Sequence, residues 1–236
     1  MKRIVLGGLK GRMGSFLVEA LKAEPDLLLV AGLSKEADFD GEVPIYNNVD
    51  ELLKEVDFDV YVDFTVYDFA KTTSETMLRA GKNIVIGTTG FKKPDIDYLK
   101  VVANQCNVNG IIAPNFSMGA ILINKFTEMC SRYFENFEVI EYHHVNKIDK
   151  PSGTATYIAN TLDCSLKRKL TSTHVHSVRM PGILAKHHVI VSDEHQIIEL
   201  IHQSNSRHSF EKGIIFAIRK VDEIDGLIYG LNSLLT

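Results

Sequence analysis

The tightest constraint on this chain sits at its start. Arg3-Ile-Val-Leu is a short apolar run that leads directly into Gly8-Leu-Lys-Gly11-Arg12-Met13-Gly14, and Phe16, Leu17, Ala20 and Leu21 then carry helical spacing until Pro25. The pattern is strand, G-x-x-G-x-x-G turn, helix. Glycine at those places permits a tight turn, close backbone approach to a pyrophosphate and close packing of helix on strand, which is how a dinucleotide-binding unit begins. A glycine-rich turn without a ligand is the competing reading, and the flanking strand and helix weigh against it. A second strand, Leu27 to Leu33, follows. The residue that reads the ribose is expected at its end, about 20 residues past the glycines. An NAD-specific site wants Asp or Glu there, whereas this chain has Ser34-Lys35 before Glu36. Ser34 suits either cofactor and Lys35 suits a 2′-phosphate. NADPH or NADH is therefore expected, with a merely solvated Lys35 as the alternative.

The alternation continues. Val60 to Thr65, Asn83 to Gly87 and Val108 to Ala113 read as strands, with helices over Phe69–Ala80 and Ile96–Ala103 and Gly81 as a C-terminal cap. Repeated strand–helix alternation predicts a parallel sheet covered on both faces, with ligands at the carboxyl ends of its strands. The Gly8–Met13, Phe64-Thr65, Gly87-Thr88-Thr89 and Pro114-Asn115-Phe116 loops then share one edge, with ordinary turn chemistry as the bland alternative for the last two. Asn115 to Gly119 reads as a hinge, with Ser117 as N-cap of a helix that carries Ile121, Leu122, Phe126, Met129, Cys130 and Tyr133 on one broad face.

The chemistry concentrates in Glu141 to Ala155, E-Y-H-H-V-N-K-I-D-K-P-S-G-T-A. The apolar run before it reads as a strand, Pro151-Ser152-Gly153 breaks it, and a helix opens at Thr154. A helix N-terminus attracts carboxylates, Gly153 lets a ligand approach the backbone, Lys147 is a compact cation and a histidine moves protons near neutrality. One such histidine is more often an ordinary strand residue. The whole cluster suits a small dianionic substrate. Beyond it, His174–Arg179, His187–Ser192 and Gln196–His202 read as strands, with Asp193-Glu-His195 as a turn. They predict an α+β domain with an open mixed sheet, one face on helices and the other left for a partner subunit. The apolar stretches Phe210–Val221 and Ile224–Leu235 return to the first domain.

The 236 residues, 45% hydrophobic and 24% charged, allow one large domain or two modest ones. A formal charge of −4 without a basic tract argues against nucleic acid, and no apolar run of about 18 residues argues for a membrane span. The start resembles a first strand and not a signal peptide. Cys106, Cys130 and Cys164 are widely spaced, as idle thiols of a reducing compartment would be, so a cytoplasmic enzyme is expected. Among the nine histidines no carboxylate or cysteine stands at a recognisable ligand spacing, so no metal is expected.

H-H-x-x-K-x-D-x-P-S-G-T-A over residues 143–155 resembles the signature of the 4-hydroxy-tetrahydrodipicolinate reductase (dihydrodipicolinate reductase) family. Gly8-x-x-Gly11-Arg12-Met13-Gly14, Asp63-Phe64-Thr65, Gly87-Thr88-Thr89-Gly90-Phe91 and Asn115-Phe116-Ser117-x-Gly119 match its other loops in order, and Ser177-Val178-Arg179, His187 and Ser206-Arg207 echo later segments. The resemblance implies an α/β chain with a Rossmann-type dinucleotide-binding domain, residues 1–116 and 207–236, and an α+β substrate and oligomerisation domain, residues 117–206. It implies NADPH- or NADH-dependent reduction of 4-hydroxy-tetrahydrodipicolinate in lysine and diaminopimelate synthesis, by a homotetramer. Carried over by position, His143 and Lys147 would be catalytic. His144, Gly153 and Thr154 would bind substrate. Gly8, Leu9, Lys10, Gly11, Arg12, Met13, Ser34, Lys35, Gly87, Thr88, Thr89, Ala113, Pro114, Asn115 and Phe116 would bind cofactor. Departures from the pattern are Val66 after Asp-Phe-Thr, Asn146 for a common histidine, Lys150 for a usual alanine, Met180-Pro181-Gly182 for Ala-Gly-Asp, and a short span from Leu162 to Ser177. A non-catalytic nucleotide sensor or a different small-molecule dehydrogenase on the same fold are the alternatives.

Overall fold

A computed structural model of the chain describes residues 1–36, 38–39, 43–166 and 174–235. In chain order its elements are β1 (Lys2–Gly7), α1 (Arg12–Lys22), β2 (Leu27–Leu33), β3 (Asp38–Phe39), β4 (Pro44–Tyr46), α2 (Val49–Glu55), β5 (Val60–Asp63), α3 (Tyr67–Arg79), β6 (Asn83–Ile86), α4 (Lys93–Cys106) and β7 (Gly110–Ile112). Then come α5 (Met118–Cys130), β8 (Asn136–His143), α6 (Gly153–Leu166), β9 (Val175–Arg179), β10 (Ala185–Ser192), β11 (Ile197–Ser204), α7 (Glu211–Lys220) and β12 (Leu227–Tyr229). They fall into two units, Met1–Pro114 with Gly213–Thr236, and Asn115–Lys212.

The first unit is one eight-stranded sheet in the order β12-β7-β6-β5-β1-β2-β4-β3. Among the described residues only the pairing of β3 with β4 is antiparallel in this sheet. The central strands β1, β5 and β6 are continuous apolar runs because helices cover both their faces, so alternation would leave polar side chains in the core. Tyr61, Phe58, Met77, Leu78, Ile84 and Ile86 are fully buried there. The helix α3 stops at Ala80, and Gly81 takes the left-handed φ of +77° just beyond it. Between β2 and β5 the chain forms the short β3 and β4 and the helix α2, the last capped by Asn48, whose side chain accepts from the N–H of Asp50 at 2.8 Å. The predicted strand from Val60 ends at Asp63, and Thr65 lies in the turn that follows. At the C-terminus β12 pairs parallel with β7, and Arg219 of α7 binds Asp26 and Glu24.

The second unit has a four-stranded mixed sheet in the order β11-β10-β8-β9, with β8 parallel to β9 and antiparallel to β10. Strict alternation in β8 and β10 sends Phe137, Val139, Val189 and Val191 inward, where they pack with Ile123 of α5 and Ala155, Ile158 and Leu162 of α6. Gln196 belongs to the turn and not to a strand: Asp193 Oδ1 accepts from the N–H groups of His195 and Gln196 at 2.8 and 3.0 Å. Ser117 occupies the N-cap of α5, but its hydroxyl makes no capping bond and meets His202 Nε2 at 3.3 Å instead. Part of the span from Leu162 to Ser177, residues 167–173, lies outside the described residues.

Candidate active site

In the second unit, β8 places Glu141 and His143 two residues apart, hence on the same inward face of the sheet. His143 is the last strand residue rather than part of the loop after it. Glu141 is fully buried. Arg179, at the end of the neighbouring β9, grips it with two parallel bonds, Nη2 to Oε1 at 2.8 Å and Nη1 to Oε2 at 3.0 Å. The backbone N–H of Ser152 donates to the same carboxylate at 3.3 Å, and His143 Nδ1 bonds Glu141 Oε2. Burial works against the ionised Glu141, but the hydrogen bonds from Arg179, Ser177 and His143 outweigh it and hold its pKa below the ordinary carboxylate range. For His143 burial is the leading effect and lowers its pKa; Glu141 pulls it up, while Lys147 and Arg179 push it further down.

Arg179 also organises the loop. Its Nη2 donates to the carbonyl of Asp149 at 2.6 Å and its Nε to that of Lys147 at 3.3 Å. Lys147 turns its ammonium to Asp149 at 2.8 Å. His144 and the side chains from Val145 to Pro151, except Lys147, are exposed.

The helix α6 begins at Gly153. Ser152 caps it: its Oγ accepts from Ala155 N–H at 3.2 Å and lies 3.4 Å from His187 Nε2. The first turn carries no acidic side chain. Gly153 and Thr154, as its first two residues, have no helical carbonyl behind them to bond, and a helix start of this kind can attract an anion. A methyl built on Gly153 would meet nothing within 4 Å, so open space lies over this helix end. Thr154 Oγ1 accepts from Asn115 Nδ2 at 3.1 Å, which ties the expected hinge residue to the cradle. His187 stacks edge-on to His143 at 5.5 Å and face-on to His202 at 6.1 Å. Burial drives its pKa down to about 3, so it is neutral at physiological pH.

The first unit carries the glycine turn. Gly8 has φ of +77°, and its carbonyl accepts from Gly11 N–H at 2.8 Å. A Cβ on Gly14 would lie 2.1 Å from Gly8 O and 2.4 Å from Leu9 O. Only glycine lets α1 start this close to the turn. Gly11 caps α1 without a side-chain bond, and no acid stands in the first turn. Lys10, Gly11 and Arg12 are exposed at this end, and Lys10 pairs with Asp38. Leu9 is different: its side chain is buried against Gly32 of β2, so only its backbone faces the turn. Thr88 is also buried. Its hydroxyl donates to Asp63 Oδ1, which further accepts from the N–H and hydroxyl of Thr65, while Tyr61 donates to Oδ2. Asp63 thus stitches the β5 and β6 loops together. Gly87 lies flat on the Phe64 ring, where a Cβ would sit 2.1 Å from Cε1. Ser34 is half-buried and Lys35, Thr89 and Pro114 are exposed, while Ala113 and Phe116 are buried.

The structure therefore joins His143, Lys147, Gly153 and Thr154 within the second unit, and the glycine turn with the Gly87–Thr89 loop edge within the first. Sequence reasoning gave no role to Glu141, Arg179 or Ser152. The alternation of Phe137, Val139, Glu141 and His143 on one strand face was the available signal, since an acid at an inward position demands a partner.

Family models for the N-terminus and C-terminus of dihydrodipicolinate reductase match residues 2–116 and 119–235. The 4-hydroxy-tetrahydrodipicolinate reductases of Listeria monocytogenes serotype 4b (strain CLIP80459) and Streptococcus uberis are 35% and 36% identical to the chain, over 99% of it and 99% of their own length. The Listeria alignment runs over 261 positions, more than the 236 residues of this chain, so that relative carries residues this chain lacks. A dipicolinate-bound dihydrodipicolinate reductase from Paenisporosarcina sp. TG-14 superimposes with a TM-score of 0.91 at 31% identity, covering all of both chains. A diaminopimelate dehydrogenase from C. glutamicum, at 14% identity and a TM-score of 0.62 over 97% of this chain and 92% of its own, shares the fold.

Proposed function

The chain belongs to the dihydrodipicolinate reductase family, and on that premise we propose how its residues carry the reaction. It is an NADH- or NADPH-dependent oxidoreductase that reduces 4-hydroxy-tetrahydrodipicolinate to tetrahydrodipicolinate in lysine and diaminopimelate biosynthesis. Substrate and product differ by one hydroxyl, so a hydride and a proton are consumed and a water is released. The observation that carries the residue assignment is the buried Glu141–His143 pair beside an unoccluded helix N-terminus and a lysine.

His143 is the proton carrier. Its Nδ1 is committed to Glu141, and Nε2 gives a proton to the reacting substrate. Lys147 leaves Asp149 to meet one substrate carboxylate and serves as a second proton source. The N–H groups of Gly153 and Thr154, with the Thr154 hydroxyl, cradle a carboxylate, and His144 at the loop edge adds a polar contact. The Paenisporosarcina relative binds dipicolinate, a planar dicarboxylate that suits such a cradle.

The first unit fits a dinucleotide: at Gly14 even a methyl would strike the turn, and the first turn of α1 carries no acidic residue. Gly8 to Met13 would hold the pyrophosphate, Ser34 and Lys35 the ribose, and Gly87 to Thr89 with Ala113 to Phe116 the nicotinamide end. The bound nicotinamide supplies the hydride. Thr88 and Leu9 would contribute backbone, since their side chains serve Asp63 and the core.

The active molecule is proposed to be a homotetramer built through the second sheet. Ile140, His188 and Ile201 stand in register across three strands on the face away from the helices, and Ile197 and Ile201 are 68% and 56% exposed. We place it in the cytoplasm, where reduced nicotinamides and free thiols such as Cys106 and Cys130 persist. No helix among the described residues is long and apolar enough to cross a membrane.

The deciding experiment follows oxidation of NADPH and NADH at the nicotinamide absorbance, with substrate made in situ from pyruvate and aspartate semialdehyde by the preceding synthase. Substrate-dependent oxidation is expected, and the ratio of the two rates reports what Lys35 reads. Binding of both cofactors without oxidation of either would favour a sensor.

A further inference from the structure

The proton carrier needs one nitrogen fixed and the other free, and the sheet supplies a device for this. Glu141 sits at the crossing of four segments. It lies on β8, opposite Ser177 of β9 and His187 of β10 in the strand register, with the Ser152 backbone over it. It has no exposed surface, and Arg179 fills two of its lone-pair directions with bonds of 2.8 and 3.0 Å. A carboxylate so buried would normally take up a proton; the bidentate guanidinium keeps it charged. Ser177 and His143 Nδ1 supply its other side-chain hydrogen bonds, and His143 is the titratable one of the two.

We propose that Glu141 is the positioning residue of His143: clamped by Arg179, it accepts the Nδ1 proton and so fixes one tautomer and one ring orientation, leaving Nε2 as the only nitrogen that exchanges protons with substrate. The inference rests on the assignment of His143 as proton carrier. A carboxylate that merely neutralised Arg179 would need no imidazole. Here the imidazole is held on the carboxylate through Nδ1 and packed edge-on by the His187 ring. The charged and titratable groups facing His143 are Glu141 from its own strand, Arg179 from β9, His187 from β10 and Lys147 from the loop. Of these only Glu141 favours the imidazolium, so its charge decides whether His143 is recharged with a proton between turnovers. In each cycle the Nε2–H bond breaks, the proton passes to substrate, Nδ1–H stays on Glu141, and solvent returns a proton to Nε2. Arg179 binds the carbonyls of Lys147 and Asp149 as well, so the same clamp sets the position of both proposed proton donors.

The test reads the His143 ring nitrogens directly by 15N NMR on the full-length protein and requires no turnover, which separates it from the reaction assignment. In the wild type, Nδ1 is expected to stay protonated while Nε2 titrates. A neutral form protonated on Nε2 would overturn the proposal. In Glu141→Gln the titration is expected to move down by about one pH unit or more, since the charge favouring imidazolium is gone. The same variant is expected to lose about 10- to 100-fold in kcat with the cofactor KM unchanged, and Glu141→Asp is expected to recover part of that loss. Wild-type kcat per folded molecule in Glu141→Gln, with an unshifted pH profile, would reduce Glu141 to a structural partner of Arg179.

Discussion

At the level of single residues, the division of labour between the three inward histidines is set by burial and partners. His143 bonds Glu141 directly, whereas His187 meets a serine hydroxyl, and burial, with His143 and His202 beside it, outweighs the pull of Glu141 and takes its pKa down to about 3. The sign of the consequence follows. Below pH 6.5 the unfolded chain binds a proton on this histidine that the folded chain refuses, so stability falls as pH drops from about 6.5 towards 3, by up to about 1.4 kcal/mol per pH unit. Urea unfolding at pH 7 and pH 5 is expected to show this loss, and His187→Gln is expected to remove roughly one proton's worth of the slope. For catalysis, His143→Ala is expected to lower turnover by about 10²–10⁴-fold, the usual worth of a positioned proton carrier. Lys147→Ala is expected to raise substrate KM and lower kcat while dinucleotide affinity measured by fluorescence titration holds steady; equal loss of both would remove Lys147 from the substrate site. His143 and Lys147 could be read from sequence because they cluster within five positions. Glu141 could not be given a role that way, because its meaning depends on Arg179, which only the parallel pairing of β8 with β9 brings alongside.

Among the elements, α1 and α6 each carry a glycine in the first turn, and the two are of opposite character. Gly14 in α1 has backbone oxygens within 2.5 Å of any added methyl, while Gly153 in α6 has nothing within 4 Å. Gly14→Ala is therefore expected to cost stability, on the order of 2 kcal/mol or more, because backbone must move, and to weaken dinucleotide binding. Gly153→Ala is expected to leave the unfolding midpoint within about 0.5 kcal/mol of wild type, yet to raise substrate KM by crowding the carboxylate cradle. Thermal melts paired with steady-state kinetics separate the two. Strong periodicity made α1, α3 and α4 and the central strands legible. The β3–β4–α2 segment was not, since strands of two and three residues carry no period. Its one clear signal was Asn48 ahead of Asp50 and Glu51, an N-cap followed by first-turn acids. Ser117 takes the N-cap place that the sequence suggested, but its hydroxyl goes to a histidine from β11, distant in the chain, and not to the helix backbone.

For the whole molecule, each unit has its own core, and the chain passes from the first to the second and back again. The outward row of Ile140, His188 and Ile201 leads to the expectation that light scattering after size exclusion will find a tetramer, and that Ile201→Lys will lower the mass while leaving the monomer folded. A wild-type monomer would refute the assembly. The return of the chain has another consequence, for its synthesis. The strand β7 pairs with β6 on one side and waits on β12 for the other, and β12 lies almost at the end of the sequence. While the ribosome is still making residues 115–226, the nearly finished first sheet carries a bare, apolar edge of the kind that recruits strands from other chains. Synthesis of β12 closes it, so a nascent chain stalled before Leu227 is a ready substrate for chaperones, although every residue of the glycine turn is already in place.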